Sequence, residues 1–272
     1  MKAAAIQVSP GEDIDKNVET ALGLVHAAAR EGARLIALPE YFVYYGDEER
    51  WAEVATLSEK VLGAFMTEAK YLGVYILAGT VLVPSGNDGK FANTSVLIHP
   101  DGKRVAHYVK RRLFDVRLDT GAFCESKWLV AGEALSSAEV DGWILGLSIC
   151  FDLRFPDHFA GLRNLHGANM IAVPSAFSME TGAAHWMTLI RARAIETQCY
   201  VIAPALWGEC GQGKRCFGST AIVDPWGEVT ALIENGEGFV TALLDLSLVG
   251  KVRRKIPMIP AHSPSPGPVE GI

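Results

Sequence analysis

Residues 32–39 read GARLIALP and residues 167–174 read GANMIAVP, an echo that keeps Gly, Ala, Ile, Ala and Pro in place. A second echo follows in the same order: SVLIHPDG (95–102) is answered by TAIVDPWG (220–227), each an apolar run closed by a P-x-G turn. A chain that repeats itself in this order is constrained to build two halves of like topology. Apolar runs of strand length occur at 2–8, 34–38, 74–83, 143–149, 170–173 and 200–203, with helical spacing between them, notably at 15–30 and 183–197. Asn17 stands near the start of the first helical segment and Gly32 just past its end as a stop signal. Alternation of this kind marks an α/β protein. Two such halves, sheet facing sheet, predict a four-layer αββα sandwich with an internal pseudo-twofold. No linker divides them, so residues 1–272 are expected to form a single domain with an irregular Pro/Ser/Gly-rich tail from about residue 256.

Composition narrows the function classes. A net charge of -6 provides no basic footprint for nucleic acid or an anionic membrane surface. The opening MKAAAIQVSP turns polar too early for a signal peptide, and no run approaches a membrane span, so a cytoplasmic location is expected. The five cysteines, at 124, 150, 199, 210 and 216, form no CxxC pair and fit reduced thiols. With no HExxH, no H-x-x-x-H and no GxGxxG after a strand, neither a metal nor a dinucleotide is implied, and no cofactor is expected.

Chemistry is sought where strands end. In LIALPEYF, Glu40 follows a strand and a proline, and the aromatics Tyr41, Phe42, Tyr44 and Tyr45 are read as a wall that raises its pKa toward that of a general base. In RVAHYVKRRLFD, strand alternation sets Ala106, Tyr108 and Lys110 on one side and Val105, His107 and Val109 on the other. A lysine held beside a thiol lowers the thiol pKa and donates to a developing oxyanion. In GLSICFDLRFP, Cys150 closes an apolar strand just before an acid and a base; packing filler is the ordinary fate of such a cysteine. Beside a carboxylate and an ammonium it becomes a nucleophile. Of the seven histidines, His185 in TGAAHW is the best placed to partner it, but no protease signature surrounds any of them. Arg154 is suited to clamp a carboxylate, unless Asp152 or Asp157 engages it in a salt bridge.

Together LPEYF, YVKRRLFD and GLSICFDLRFP resemble, in order and spacing, the Glu-Lys-Cys motifs of the nitrilase superfamily of carbon-nitrogen hydrolases. CESK (124–127), PSAF (174–177), TGAAHW (181–186), RARAIETQCYV (191–201) and VDPWGEV (223–229) narrow the resemblance to its Nit branch, and the match spans nearly the whole chain. The family fold is likewise an αββα sandwich. The resemblance implies Cys150 as nucleophile, Glu40 as general base and acid, Lys110 as oxyanion donor, and Glu125 as the group orienting the lysine and the leaving amine. It also implies the Phe151 backbone N–H as second oxyanion donor, with Arg154 and Thr181 contacting a substrate carboxylate. The chain departs from the common CYDxRFPE pattern at Phe151 and Asp157, which spares the chemistry because Phe151 contributes its backbone. The implied reaction is hydrolysis of the terminal amide of a small carboxylate-bearing substrate, deaminated glutathione foremost, through a Cys thioester with release of ammonia or an amine. α-Ketoglutaramate, N-carbamoyl amines and nitriles are the alternatives, although a nitrilase would carry Trp-Glu or Gly-Glu where Phe151 and Asp152 stand. A silent scaffold is the alternative outside catalysis. A homodimer or homotetramer is implied, with no nucleic-acid or membrane partner.

Overall fold

A computed structural model describes residues 1–86, 89–118 and 121–258. The expected tail therefore falls, from residue 259 onward, outside the described residues. The first half runs β1 (Lys2–Val8), α1 (Ile14–Arg30), β2 (Leu35–Ala37), α2 (Trp51–Leu72), β3 (Tyr75–Pro84), β4 (Phe91–Ile98) and β5 (Arg104–Val109). A hairpin of β6 (Asp115–Leu118) and β7 (Gly121–Cys124) leads to β8 (Ser136–Val140), β9 (Trp143–Leu147), α3 (Pro156–Leu165), β10 (Met170–Ala172), α4 (Met179–Thr197) and β11 (Tyr200–Ala203). Then come β12 (Ala205–Glu209), β13 (Arg215–Phe217), β14 (Thr220–Val223), β15 (Val229–Ile233), β16 (Gly238–Leu243) and α5 (Leu246–Lys255).

The echoed segments occupy equivalent places. β2 lies between parallel neighbours β1 and β3, and β10 between parallel β9 and β11. The second echo supplies β4 and β14, antiparallel to β3 and β11. Both are closed by a glycine with positive φ, Gly102 (83°) and Gly227 (88°), a conformation without steric cost only for glycine. One sheet runs β13-β12-β1-β2-β3-β4-β5, with β16 antiparallel beside β1; the other runs β15-β14-β11-β10-β9-β8.

Because side chains alternate along a strand, near-continuous apolar runs bury both faces. Ala3, Ala5, Leu35, Ala37 and Leu77 pack in one cluster with Leu145, Leu147, Met170, Ala172 and Val201 from the other sheet. Their neighbours Ala4, Ile6, Ile36 and Ile76 join Val25 and Ala28 of α1 and Leu62 and Phe65 of α2. The result is helix, sheet, sheet, helix. Among the described residues no helix is long and apolar enough to cross a membrane.

Three details differ from the sequence reading. Helix α1 begins at Ile14, capped by the Asp13 carboxylate, which accepts from the Lys16 N–H; Asn17 instead bonds the backbone of Gly11 and Val43. Helix α4 begins at Met179 rather than 183, because Ser178 caps it, and Thr181 therefore sits in its first turn. Finally, β12, β13 and β16 of the second half join the first half's sheet, so the halves interlock rather than merely stack.

Candidate active site

The strand ends of both halves converge on one pocket. Glu40 follows β2, Lys110 follows β5 and Cys150 follows β9, and all three line the same cavity with Glu125, Phe151, Arg154 and Thr181. It encloses about 350 Å3, part of it open to solvent. Glu40 and Lys110 are both 1% exposed, so their charges meet almost without water.

Lys110 Nζ donates to Glu40 Oε1 at 2.9 Å and to the Glu125 carboxylate at 2.9 Å. The second Glu40 oxygen accepts from the Ala176 N–H at 3.0 Å, and Asn93 Nδ2 donates to Oε1 at 2.9 Å. Glu125 is held in turn by the Tyr41 hydroxyl (3.0 Å) and the Phe114 N–H (2.7 Å). A buried ammonium between two carboxylates with further donors is the arrangement that makes buried charge tolerable. Burial pushes the Glu40 carboxyl above the usual carboxylate range, partly offset by Lys110. Burial drags on the Lys110 ammonium, but Glu125, Glu40 and Cys150 outweigh it and hold it well above an ordinary lysine. Burial, then the Glu40 charge, pushes the Cys150 thiol well up, against the pull of Lys110. The thiol is thus pushed toward its protonated form, with the Glu40 carboxyl beside it.

Cys150 opens a 3₁₀ turn, Cys150–Arg154, and has φ of 44°, the left-handed region that side chains seldom adopt. Its N–H donates to Pro174 O at 2.9 Å. What holds the turn is Asp152, fully buried, which accepts from the Ile149 N–H (2.9 Å), the Tyr108 hydroxyl (2.7 Å) and the Arg112 N–H (3.0 Å). It thus ties the cysteine's turn to the end of the lysine's strand. Asp152→Ala leaves two buried donors, the Ile149 N–H and the Tyr108 hydroxyl, unpaired at about 1–3 kcal/mol each, and frees the half-buried Arg112 N–H; it is expected to lower thermal stability markedly and activity further still. Thermal denaturation alongside a turnover assay checks this. The Phe151 N–H stands in the same turn, where the opening N–H groups of a helix have no partner within it.

Arg154 is not in the salt bridge that Asp152 or Asp157 offered. Asp152 is spent on backbone and Tyr108, and Asp157 pairs with Arg112 at 3.0 Å. The guanidinium lies instead over the rings of Phe177 (5.3 Å) and Phe151 (5.8 Å), and burial lowers its pKa. His185 Nδ1 sits 3.3 Å from Arg154 Nη1 and does not line the pocket. Thr181, 8% exposed, shares a hydrogen bond with Ser178 at 2.9 Å. The aromatic wall is half of that expected. Tyr41 and Tyr45 stack at 5.5 Å and line the pocket, whereas Phe42 packs edge-on against Phe65 of α2 and Tyr44 packs against Arg50. A tight turn through Tyr41, with φ of 55°, sends the successive rings to different faces. Among the described residues no three His, Cys, Asp or Glu side chains gather as a metal site.

A profile of the family described as carbon-nitrogen hydrolase matches residues 2–254. The chain belongs to the carbon-nitrogen hydrolase family. It is accordingly an amide-hydrolysing enzyme, and its motifs place it in the nitrilase superfamily. Deaminated glutathione amidase of Synechocystis sp. is 38% identical over 265 residues, covering 94% of this chain and 96% of that protein. The human deaminated glutathione amidase is 37% identical over 271 residues, covering 96% and 82%. Among solved structures, the Caenorhabditis elegans NitFhit protein matches with a TM-score of 0.89 at 31% identity over 94% of this chain, which spans 63% of that longer one. Saccharomyces cerevisiae Nit3, a member of branch 10 of the nitrilase superfamily, matches with a TM-score of 0.84 at 26% identity, covering 95% and 94%.

Proposed function

We propose that this carbon-nitrogen hydrolase cleaves the amide of a small carboxylate-bearing substrate, with deaminated glutathione foremost, through a thioester on Cys150. The observation that carries the reading is the Lys110 ammonium, bonded to two carboxylates in the pocket that also holds the thiol. Glu40 takes the Cys150 proton, and the sulfur attacks the amide carbonyl. The tetrahedral oxyanion is stabilised by Lys110 and the Phe151 N–H. Glu40 then returns its proton to the departing nitrogen as the C–N bond breaks, Glu125 keeping Lys110 and the amine in line. Water, deprotonated by Glu40, attacks the thioester, and the thiol leaves with that proton.

Arg154 is the natural anchor for the substrate carboxylate, since among the described residues no acid pairs with it; Thr181 adds a hydroxyl beside it. The name shared by the Synechocystis and human relatives supports putting deaminated glutathione first. α-Ketoglutaramate, N-carbamoyl amino acids and nitriles are the competing substrates. Product release from a panel of the four, followed by intact-mass detection of an acyl adduct on Cys150, tests the reading. Turnover of the α-keto ω-amides with an adduct at Cys150 is expected; indifference to both, or an adduct elsewhere, refutes it.

We read residues 1–272 as one domain, working as a homodimer or homotetramer in the cytoplasm. The five cysteines, all free, support a reducing compartment. Sedimentation at micromolar concentration giving only a monomer would refute the assembly.

A further inference from the structure

Two thiols that the reaction does not use meet across the hairpin of β12 and β13. The Cys210 thiol donates to the Cys216 sulfur across 3.9 Å, and the two residues are 6% and 1% exposed. Cys216 pairs with Gly208, and the Cys210 N–H donates to Lys214 O at 2.7 Å. The cysteines therefore hold diagonal positions on one face of the hairpin, since side chains two apart on a strand point the same way. The bond from Cys210, and then burial, push the Cys216 thiol well up. Cys210 is the outer of the two, at the base of the turn Gly211–Gly213, whose Gln212 and Gly213 are exposed. It is the sulfur that an oxidant reaches first.

The two ends of this hairpin are held differently. At the turn, the Lys214 ammonium donates to Gly46 O at 2.5 Å and pairs with Glu48 at 2.6 Å, which fixes the end that carries Cys210. Strand β13 is tied instead to the wall of the active-site pocket. The Phe217 N–H donates to Phe177 O at 2.9 Å, and Cys216 bridges to Ser178. Phe217 also packs so closely on Gly182 that a Cβ there would meet its own Cβ at 2.3 Å. Phe177 carries the Arg154 guanidinium, and Ser178 caps α4 and bonds Thr181. A disulfide holds its sulfurs about 2.05 Å apart, so closing this pair draws them together by about 2 Å. With Cys210 fixed, the movement falls on Cys216 and passes to both residues read as contacts for the substrate carboxylate.

We propose that Cys210 and Cys216 form a site of reversible oxidation by hydroperoxides, closing to a disulfide that loosens the enzyme's hold on its substrate carboxylate. The Cys210 sulfur attacks the peroxide, takes one oxygen as the O–O bond breaks, and water leaves with the thiol proton. The Cys216 sulfur then attacks the resulting sulfenic acid, the S–O bond breaks, and a second water leaves with the Cys216 proton. Two electrons pass from the sulfurs to the peroxide. The effect on binding rests on the carboxylate-anchoring reading above; the disulfide itself does not. The test treats the full chain, as wild type and as Cys150→Ser, with hydrogen peroxide and maps the peptides by mass. A cross-link between Cys210 and Cys216, with loss of two hydrogens, is expected in both, reversed by dithiothreitol and absent from Cys216→Ser. Peroxide that oxidises the exposed Cys124 yet leaves both thiols free, or oxidises them without joining them, overturns the site. In wild type, KM for an α-keto ω-amide is expected to rise about tenfold on oxidation, the effect of one weakened charged hydrogen bond, and to return with dithiothreitol. Oxidation of Cys150 itself lowers the active fraction and so kcat, not KM. A cross-link with unchanged KM, or an equal rise in Cys216→Ser, overturns the coupling. Turnover of no ω-amide removes the anchoring reading and the coupling together, while the peptide map still decides the disulfide. The Cys150→Ser and wild-type maps decide it even where Cys216→Ser fails to fold.

Discussion

Lys110→Ala is expected to cut kcat/KM by at least about 10²–10³-fold, the effect of losing one oxyanion donor. The loss goes beyond that donor, because Lys110 also offsets the burial that pushes Glu40 upward. Without the ammonium, Glu40 is pushed further up, which weakens it as the base as well. Glu125 then faces Glu40 with nothing between them, and breaking a buried pair in this way costs about 3–5 kcal/mol. The sign of the pH dependence follows. A carboxyl whose folded pKa lies above its unfolded one contributes stability at low pH, and that contribution is lost as pH rises through the folded value. The variant should therefore melt higher at pH 5 than at pH 8, relative to wild type at each. Turnover within tenfold of wild type, or a melting difference of the opposite sign, would remove Lys110 from the chemistry.

Glu40→Gln should lower kcat by about 10²–10⁴-fold, the range for a lost general acid–base, yet make Cys150 more acidic. The Glu40 charge is one of the influences that push the thiol up, and Lys110 pulls it down. Removing the first while keeping the second shifts the thiol downward. The pH at which iodoacetamide labels Cys150 half-maximally should fall in the variant even as turnover drops. The amide also cannot satisfy every partner: of the Lys110, Asn93 and Ala176 donors that meet the carboxylate, one is left facing an NH2 group. That orphan costs about 1–3 kcal/mol, which a melting curve would register. A thiol that labels at higher pH than wild type would contradict the assigned pairing.

Much of the molecule could be read before its coordinates. The repeated GARLIALP and GANMIAVP segments became the middle parallel strands β2 and β10, because a fully buried strand leaves an uninterrupted apolar run. Glu40, Lys110 and Cys150 stood out as chemically capable residues at strand ends, and they share one pocket. Glu125 was legible only through the family resemblance, since one glutamate on a short turn carries no periodic signal. Asn93 and the Ala176 N–H were missed, although an asparagine inside the buried run of β4 is a polar exception that asks for a partner. Asp152 was weighed only as a partner for Arg154; its backbone bonds depend on a turn whose shape the residues do not announce. The joining of β12, β13 and β16 to the first sheet was equally hidden, because pairing between distant strands leaves no local pattern.

The Glu40 carboxylate takes donors from β4 and the end of β5 on one side and from Ala176, after β10, on the other. Strand β1 pairs along Lys2–Gln7 with β16 at 238–243. A nascent chain emerging from the ribosome must therefore hold an unpaired strand edge until residue 243 is synthesised. Until then it carries every reactive side chain while β1 stands without this partner. Ammonia release during synthesis is expected to begin with the last strand rather than with the arrival of Cys150.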